Sequence, residues 1–249
     1  VVEEEHLDVL DGLDIVFLPR MMVATAKTEA ALSDFVQRGG TLICESECGA
    51  FDPVGIYKYP EQRFTAKLAG GSEVGRRNIE AEQVSVDYQG KTFKLHLHQW
   101  LTPWKVPEAD IFCQNEAGAL FSEVKVGRGK VILVGSYLGE FYFDQWYPGF
   151  EDFIETVCLA NGAERDAVAV DDSVRADAFV YIKTGGSQGK KVVFVFFPDG
   201  EEEITLQFSE GFLQNETLEE WISGKTYQIH QGKVTVPANP VRVSIFVEE

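Results

Sequence analysis

Two methionines, four cysteines and four histidines are all that 249 residues contain, and only 22 basic side chains stand against 40 acidic ones. Each shortage excludes something. A formal charge of -18 repels phosphate backbones and anionic headgroups, which rules against nucleic acid and membrane surfaces as partners. No apolar run approaches the roughly 18 residues that a membrane-spanning helix needs. The opening Val1-Val2-Glu3-Glu4-Glu5 has neither the basic region nor the apolar core of a secretory signal. It also lacks an initiator Met, so the residues are expected to be a piece of something longer; a cytoplasmic location is the expectation, with secretion open to a signal upstream. Cys44, Cys48, Cys113 and Cys158 lie far apart in a chain long enough not to need staples, so they are read as reduced thiols.

What remains is the balance of an ordinary globular protein, 45% hydrophobic and 25% charged. The residues predict an α/β domain over 1–164 and a small antiparallel β-sandwich over 165–249. Leu13-Asp14-Ile15-Val16-Phe17-Leu18 is an apolar run ended by Pro19, which suits a strand buried on both faces. Thr25 is a helix N-cap, Leu32, Phe35 and Val36 recur at helical spacing, and Gly39-Gly40 stop the helix before a second strand, Thr41-Leu42-Ile43-Cys44. Strand, helix and strand make a parallel unit. Residues 51–77 show no period and are expected to be a long loop on the sheet's carboxyl edge.

Val84 to Tyr88 and Thr92 to Trp100 alternate around Gln89-Gly90-Lys91, predicting a hairpin with Phe93, Leu95 and Leu97 on one face and Lys94, His96 and His98 on the other. Strands follow at Ile111 to Cys113, Ala119 to Val126 and Val131 to Val134, then a helix bearing Phe150, Phe153, Ile154 and Val157 that stops at Asn161-Gly162. Beyond it, six short strands are expected: Phe179 to Lys183, Val192 to Phe197, Ile204 to Phe208, Thr226 to Ile229, Val234 to Val236 and Val241 to Val247. Turn clusters such as Gly185-Gly186-Ser187 separate them.

Cys48, just after the second strand, stands where class I glutamine amidotransferases present a nucleophile. Yet Glu45-Ser46-Glu47-Cys48-Gly49 lacks the first glycine of a G-x-C-x-G elbow, its carboxylates oppose thiolate formation, and none of His6, His96, His98 or His230 precedes x-Glu. His96-x-His98 supplies two alternate residues that could ligate a metal, with Cys44, Cys48 or Glu47 completing the set only if the hairpin folds over the sheet edge. A solvated hairpin face is the simpler reading. Gly127-Arg128-Gly129-Lys130 joins two strands and lacks the spacing and following helix of a phosphate loop, so it is read as a turn.

Tyr137, Phe141, Tyr142, Phe143, Trp146 and Tyr147 crowd one segment around Glu140 and Asp144, a composition that suits sugar stacking or, more simply, core and interface. No pair among 40 acidic residues can be chosen as the acid and nucleophile of a glycosidase. No catalytic, cofactor-binding or metal-ligating residue is assigned.

The stretch Leu10-Asp11-Gly12-Leu13-Asp14-Ile15-Val16-Phe17-Leu18-Pro19, the helix ending Phe35-Val36-Gln37-Arg38-Gly39-Gly40-Thr41-Leu42, and Gly49-Ala50-Phe51-Asp52 together resemble the middle domain of glycoside hydrolase family 42 β-galactosidases. Val126-Gly127-Arg128-Gly129-Lys130-Val131-Ile132-Leu133-Val134-Gly135-Ser136 is similar to that domain's G-x-G-K/R strand pair, and the β-rich tail matches the placement of the family's C-terminal domain. The resemblance implies a flavodoxin-like, class I amidotransferase-like three-layer domain that lacks its chemistry and, here, its first strand. It implies a scaffold that serves trimer assembly beside a catalytic barrel absent from these residues. Alternatives are a carbohydrate-binding accessory module that contacts galactosides through Tyr142 and Trp146, or a stand-alone amidotransferase-like enzyme using Cys48.

Overall fold

The computed structural model describes residues 2–170, 180–187 and 189–248. The chain is mixed α/β and divides into two units, Val1–Ala163 and Glu164–Glu249. In the first unit a 3-10 segment, Glu4–Gly12, precedes β1 (Ile15–Leu18), α1 (Ala26–Arg38) and β2 (Thr41–Cys44). The two strands pair in parallel, Ile15 opposite Thr41 and Leu18 opposite Cys44. Thr25 Oγ1 caps α1 by accepting from the Thr28 N–H at 3.2 Å, and Gly39, at φ 126°, ends it.

The segment expected to be a structureless loop, 51–77, contains α2 (Phe64–Ala69) and β3 (Ser72–Glu73). All of Phe64, Thr65, Ala66 and Ala69 are buried, so tertiary burial rather than periodicity makes that helix. The hairpin is longer than its alternation predicts, β4 (Arg77–Tyr88) and β5 (Lys91–Leu101), and turns through Gln89 and Gly90 at φ 51° and 75°. After it come β6 (Trp104–Lys105), β7 (Asp110–Asn115), β8 (Gly118–Val126), β9 (Gly129–Val134), α3 (Gly139–Asp144) and α4 (Pro148–Ala160).

The main sheet has the order β1-β2-β9-β8-β6-β3, with β7 also pairing β8. Strands β1, β2 and β9 run parallel, and β8 is antiparallel to β9. Alternation then sends Leu42, Cys44, Val131 and Leu133 into one core with Leu32, Phe35 and Val36 of α1 and Phe64 of α2. Ile43, Ile132 and Val134 enter a second core with Phe93, Leu95 and Leu97 of the hairpin and Phe153 and Val157 of α4. Full burial of each such side chain contributes about 1.5–3 kcal/mol, which explains why the central strands are apolar on both faces.

In the second unit β10 (Ala167–Ala169), β11 (Tyr181–Ser187), β12 (Lys190–Phe196), β13 (Glu203–Phe208), β14 (Thr217–Glu220), β15 (Lys225–Gln228), β16 (Lys233–Pro237) and β17 (Val243–Glu248) form two antiparallel sheets, β10-β13-β16 and β11-β12-β17-β14-β15. Val193, Val195, Ile204, Leu206, Val234, Val236 and Phe246 fill the core. One expectation is corrected, and two strands are added to those expected. Gly185-Gly186-Ser187 is not a turn but the end of β11, with Ser187 opposite Lys190. The short strand β10 was not anticipated. Nor was β14, because its Thr-Leu-Glu-Glu sequence hides a period of two in which Leu218 and Glu220 are the buried residues. Phe179, placed at the start of the first expected strand, lies outside the described residues.

Candidate functional site

The carboxyl ends of β1, β2 and β9 are where open α/β sheets place ligands, and here they hold a dense polar cluster. Glu45, 1% exposed, follows β2 and accepts three main-chain N–H bonds, from Arg20 at 2.9 Å, Leu138 at 2.8 Å and Gly139 at 3.0 Å. It thereby ties the exits of all three parallel strands together. Burial nevertheless raises its carboxyl pKa, the three N–H groups opposing that rise.

Two residues on, Glu47 takes a left-handed conformation at φ 59°, an uncommon one for a residue other than glycine. Its buried carboxylate meets Arg76 at 2.9 Å and accepts the Tyr137 hydroxyl at 2.9 Å, while its N–H donates to Glu73 at 2.8 Å. Arg76 also stacks on Trp100, 3.5 Å from the ring centroid. Burial, together with the neighbouring Glu47, pushes the Tyr137 phenol up. Behind this layer Arg63 and Glu73 pair at 2.6 Å, with side chains 1% and 2% exposed. Each carboxylate is engaged, Glu45 by main-chain N–H groups, Glu47 by Arg76 and Glu73 by Arg63, so the edge is self-satisfied rather than poised for a charged ligand.

Cys48 lies beneath the edge. It is fully buried in the α1 core, and its thiol pKa is pushed well above the usual range, first by a hydrogen bond with Cys44 and then by burial. The strained position of this strand exit falls on Glu47 and not on the cysteine. A raised, inaccessible thiol is a poor nucleophile.

His96 and His98 do share a face of β5, as alternation requires, but the hairpin lies on the sheet face opposite to Cys44 and Cys48. Instead α3 covers the histidines. His96 stacks on Phe141 with centroids 4.2 Å apart, and His98 Nδ1 stands 3.6 Å from Glu140 Oε2. A bulge between Ile79 and Ala81 and the left-handed Gln99, at φ 58°, swing Gln99 Nε2 to 2.6 Å from Glu140. Arg20 reaches the same carboxylate at 2.9 Å. Among the described residues no three His, Cys, Asp or Glu side chains gather as a metal site.

The aromatic segment splits in two. Tyr137 is buried, and Phe141 and Tyr147 pack together against the hairpin and Phe150 of α4. Tyr142 packs on Phe150, and its hydroxyl, pushed up to about 12 mainly by desolvation, bonds to Glu151. Phe143 and Trp146 point outward, 89% and 64% exposed.

The Gly127-Arg128-Gly129-Lys130 turn has a structural reason. A Cβ on Gly129 would stand 2.2 Å from the Gly40 carbonyl oxygen and 2.4 Å from that of Val36. The turn is pressed against the end of α1, donating from Arg128 N–H to Gln37 O and from Lys130 N–H to Gly40 O, both at 3.2 Å. Sequence reading missed the Arg63–Glu73 pair and the Glu45 clasp, since no motif spacing joins partners from separate elements.

No protein-family profile matches the sequence, and no curated protein matches it. Solved structures do. Gan42B, a GH42 β-galactosidase from G. stearothermophilus, superposes with a TM-score of 0.70 at 15% identity, covering 99% of this chain and 33% of that one. The β-galactosidase from Bacillus circulans sp. alkalophilus gives 0.71 at 16% identity over 96% and 33% of the two chains. That from Rahnella sp. R3 gives 0.64 at 14% identity over 95% and 32%. At such identities the likeness establishes the fold. This chain therefore spans about a third of the length of the GH42 β-galactosidases it matches and has the fold of that portion of them.

Proposed function

We propose that this chain is the non-catalytic assembly and scaffold portion of a β-galactosidase-like glycoside hydrolase whose catalytic barrel lies outside these residues. The observation that carries the reading is the near-complete coverage of this chain against a third of GH42 chains. The closed chemistry of the sheet edge supports it, because Glu45, Glu47 and Glu73 are all engaged within the fold and Cys48 is buried. Residues 1–164 would then be an amidotransferase-like, flavodoxin-like domain without its chemistry and 165–249 the small C-terminal domain, in a cytoplasmic enzyme.

Two features favour assembly. Val54, Ile56 and Tyr59, at 81%, 64% and 65% exposure, and Phe143 and Trp146 present large apolar groups to solvent, as interface residues do before association. In addition, β1 is an edge strand whose side chains are all apolar, and no strand pairs its outer edge among the described residues. Such an edge invites a further strand, which fits a domain completed by residues outside this sequence. Self-association into a trimer and contact with a barrel are the expected partnerships. The test is hydrolysis of a chromogenic galactoside: the chain alone is expected to show none, and turnover that purifies with it would overturn the reading.

A further inference from the structure

We propose that the second unit carries a binding site for a neutral saccharide, in the cleft formed by the β13–β14 loop and the β15–β16 turn. The cleft has a volume of about 490 Å³, within the range of about 300–1,000 Å³ typical of small-molecule sites. Its polar lining includes Gln207, Gln214, Asn215, Gln231, Glu210 and Glu216. A carboxamide offers a donor and an acceptor side by side, and a carboxylate offers two acceptors. Vicinal hydroxyls of a sugar, each both donor and acceptor, answer that set. No lysine or arginine lines the cleft, so a phosphate or carboxylate ligand finds no counter-charge, and Glu210 and Glu216 repel it.

Apolar surface is present as well. Phe208 and Ile229, 5% and 6% exposed, close the floor, and the half-buried Leu213 beside them offers the apolar contact for the C–H face of a pyranose. The walls are fixed before any ligand arrives. Glu248, 5% exposed, accepts the main-chain N–H groups of Gln214 and of Asn215, the latter at 2.8 Å, and so holds the loop by charge-assisted bonds. Gln207 Nε2 donates to Phe208 O at 3.1 Å and Gly232 O at 3.2 Å, which ties the end of β13 to the β15–β16 turn and orients the side-chain oxygen as an acceptor. A prearranged polar cleft loses less entropy on binding than a mobile one. The aromatic segment of the first unit offers less to a sugar, because the Tyr142 hydroxyl is already taken by Glu151.

The experiment is calorimetric titration of the full chain with lactose, with cellobiose and with glucuronate, read beside ¹⁵N amide shifts. At least one of the two disaccharides is expected to bind, with shifts confined to residues of the second unit, and glucuronate is expected not to bind. Gln214→Ala, at an exposed side chain, and Gln207→Ala are each expected to weaken binding by about tenfold or more, and Trp146→Ala to leave it unchanged. Failure of both disaccharides to bind, binding of glucuronate alone, insensitivity to both glutamine variants, or loss of binding in Trp146→Ala would overturn the proposal.

Discussion

Arg63 and Glu73 face each other at 2.6 Å with almost no exposure to solvent, one from the start of α2 and one from the two-residue strand β3. Their pairing joins the short elements of the 51–77 segment to the sheet edge, since Glu73 also accepts the Glu47 N–H. Removing one member leaves the other's charge buried without its counter-charge. Glu73→Ala is therefore expected to cost about 3–5 kcal/mol in urea unfolding. The double variant Arg63→Met with Glu73→Leu should cost less than either single change, and strict additivity would contradict a direct coupling.

Gly129 is held against the end of α1, and the two nearest atoms that a side chain would meet are backbone carbonyl oxygens that cannot rotate away. Gly129→Ala should destabilise the first unit by about 1–3 kcal/mol. Arg128→Ala, in the same turn, should stay within about 0.5 kcal/mol. Equal effects of the two would show that the close approach to α1 is unimportant.

Glu45 links stability to pH with a definite sign. Its folded pKa lies above the ordinary value of 4.5 because of burial, so the folded state holds its proton more tightly than the unfolded chain. That contribution is fully present below 4.5 and is lost as pH rises through the raised value. Glu45→Gln cannot titrate, and its amide NH2 faces an N–H it cannot accept, so it should cost about 1–3 kcal/mol at acidic pH. That deficit is expected to narrow as the pH is raised, and a deficit that widens would contradict the assignment.

The cysteines give a chemical readout. Cys44 and Cys48 are buried, whereas Cys113 and Cys158 are partly exposed. Iodoacetamide applied to the native chain at neutral pH, with the sites read by mass spectrometry, should label neither Cys44 nor Cys48 until denaturant is added. Rapid labelling of Cys48 would revive a nucleophilic role.

The parallel unit β1-α1-β2 and the hairpin were legible because their signals are local: an apolar run ended by Pro19, a Thr25 cap, a Gly39 stop and strict alternation at Phe93, Leu95 and Leu97. The elements missed depend on partners far along the chain. α2 is helical because Phe64 and Ala66 are buried, and α3 forms where Phe141 can stack on His96. β14 pairs with β17 and buries Glu220, which accepts the Ile245 N–H at 3.4 Å; no hydropathy pattern marks a glutamate as inward-facing. The Cys48 position was read as a poor nucleophile from its flanking carboxylates, but its burial beside Cys44 could come only from the fold. The same holds for the Glu45 clasp, whose donors lie 25 and 93 residues away or more.

The assembly role is tested most directly by size-exclusion chromatography with multi-angle light scattering on the purified 249-residue chain across a wide range of concentrations. A scaffold that presents Phe143, Trp146 and the β1 edge to partners should show a mass that rises with concentration toward an oligomer, the trimer being the state expected. A monomer at every concentration would contradict it.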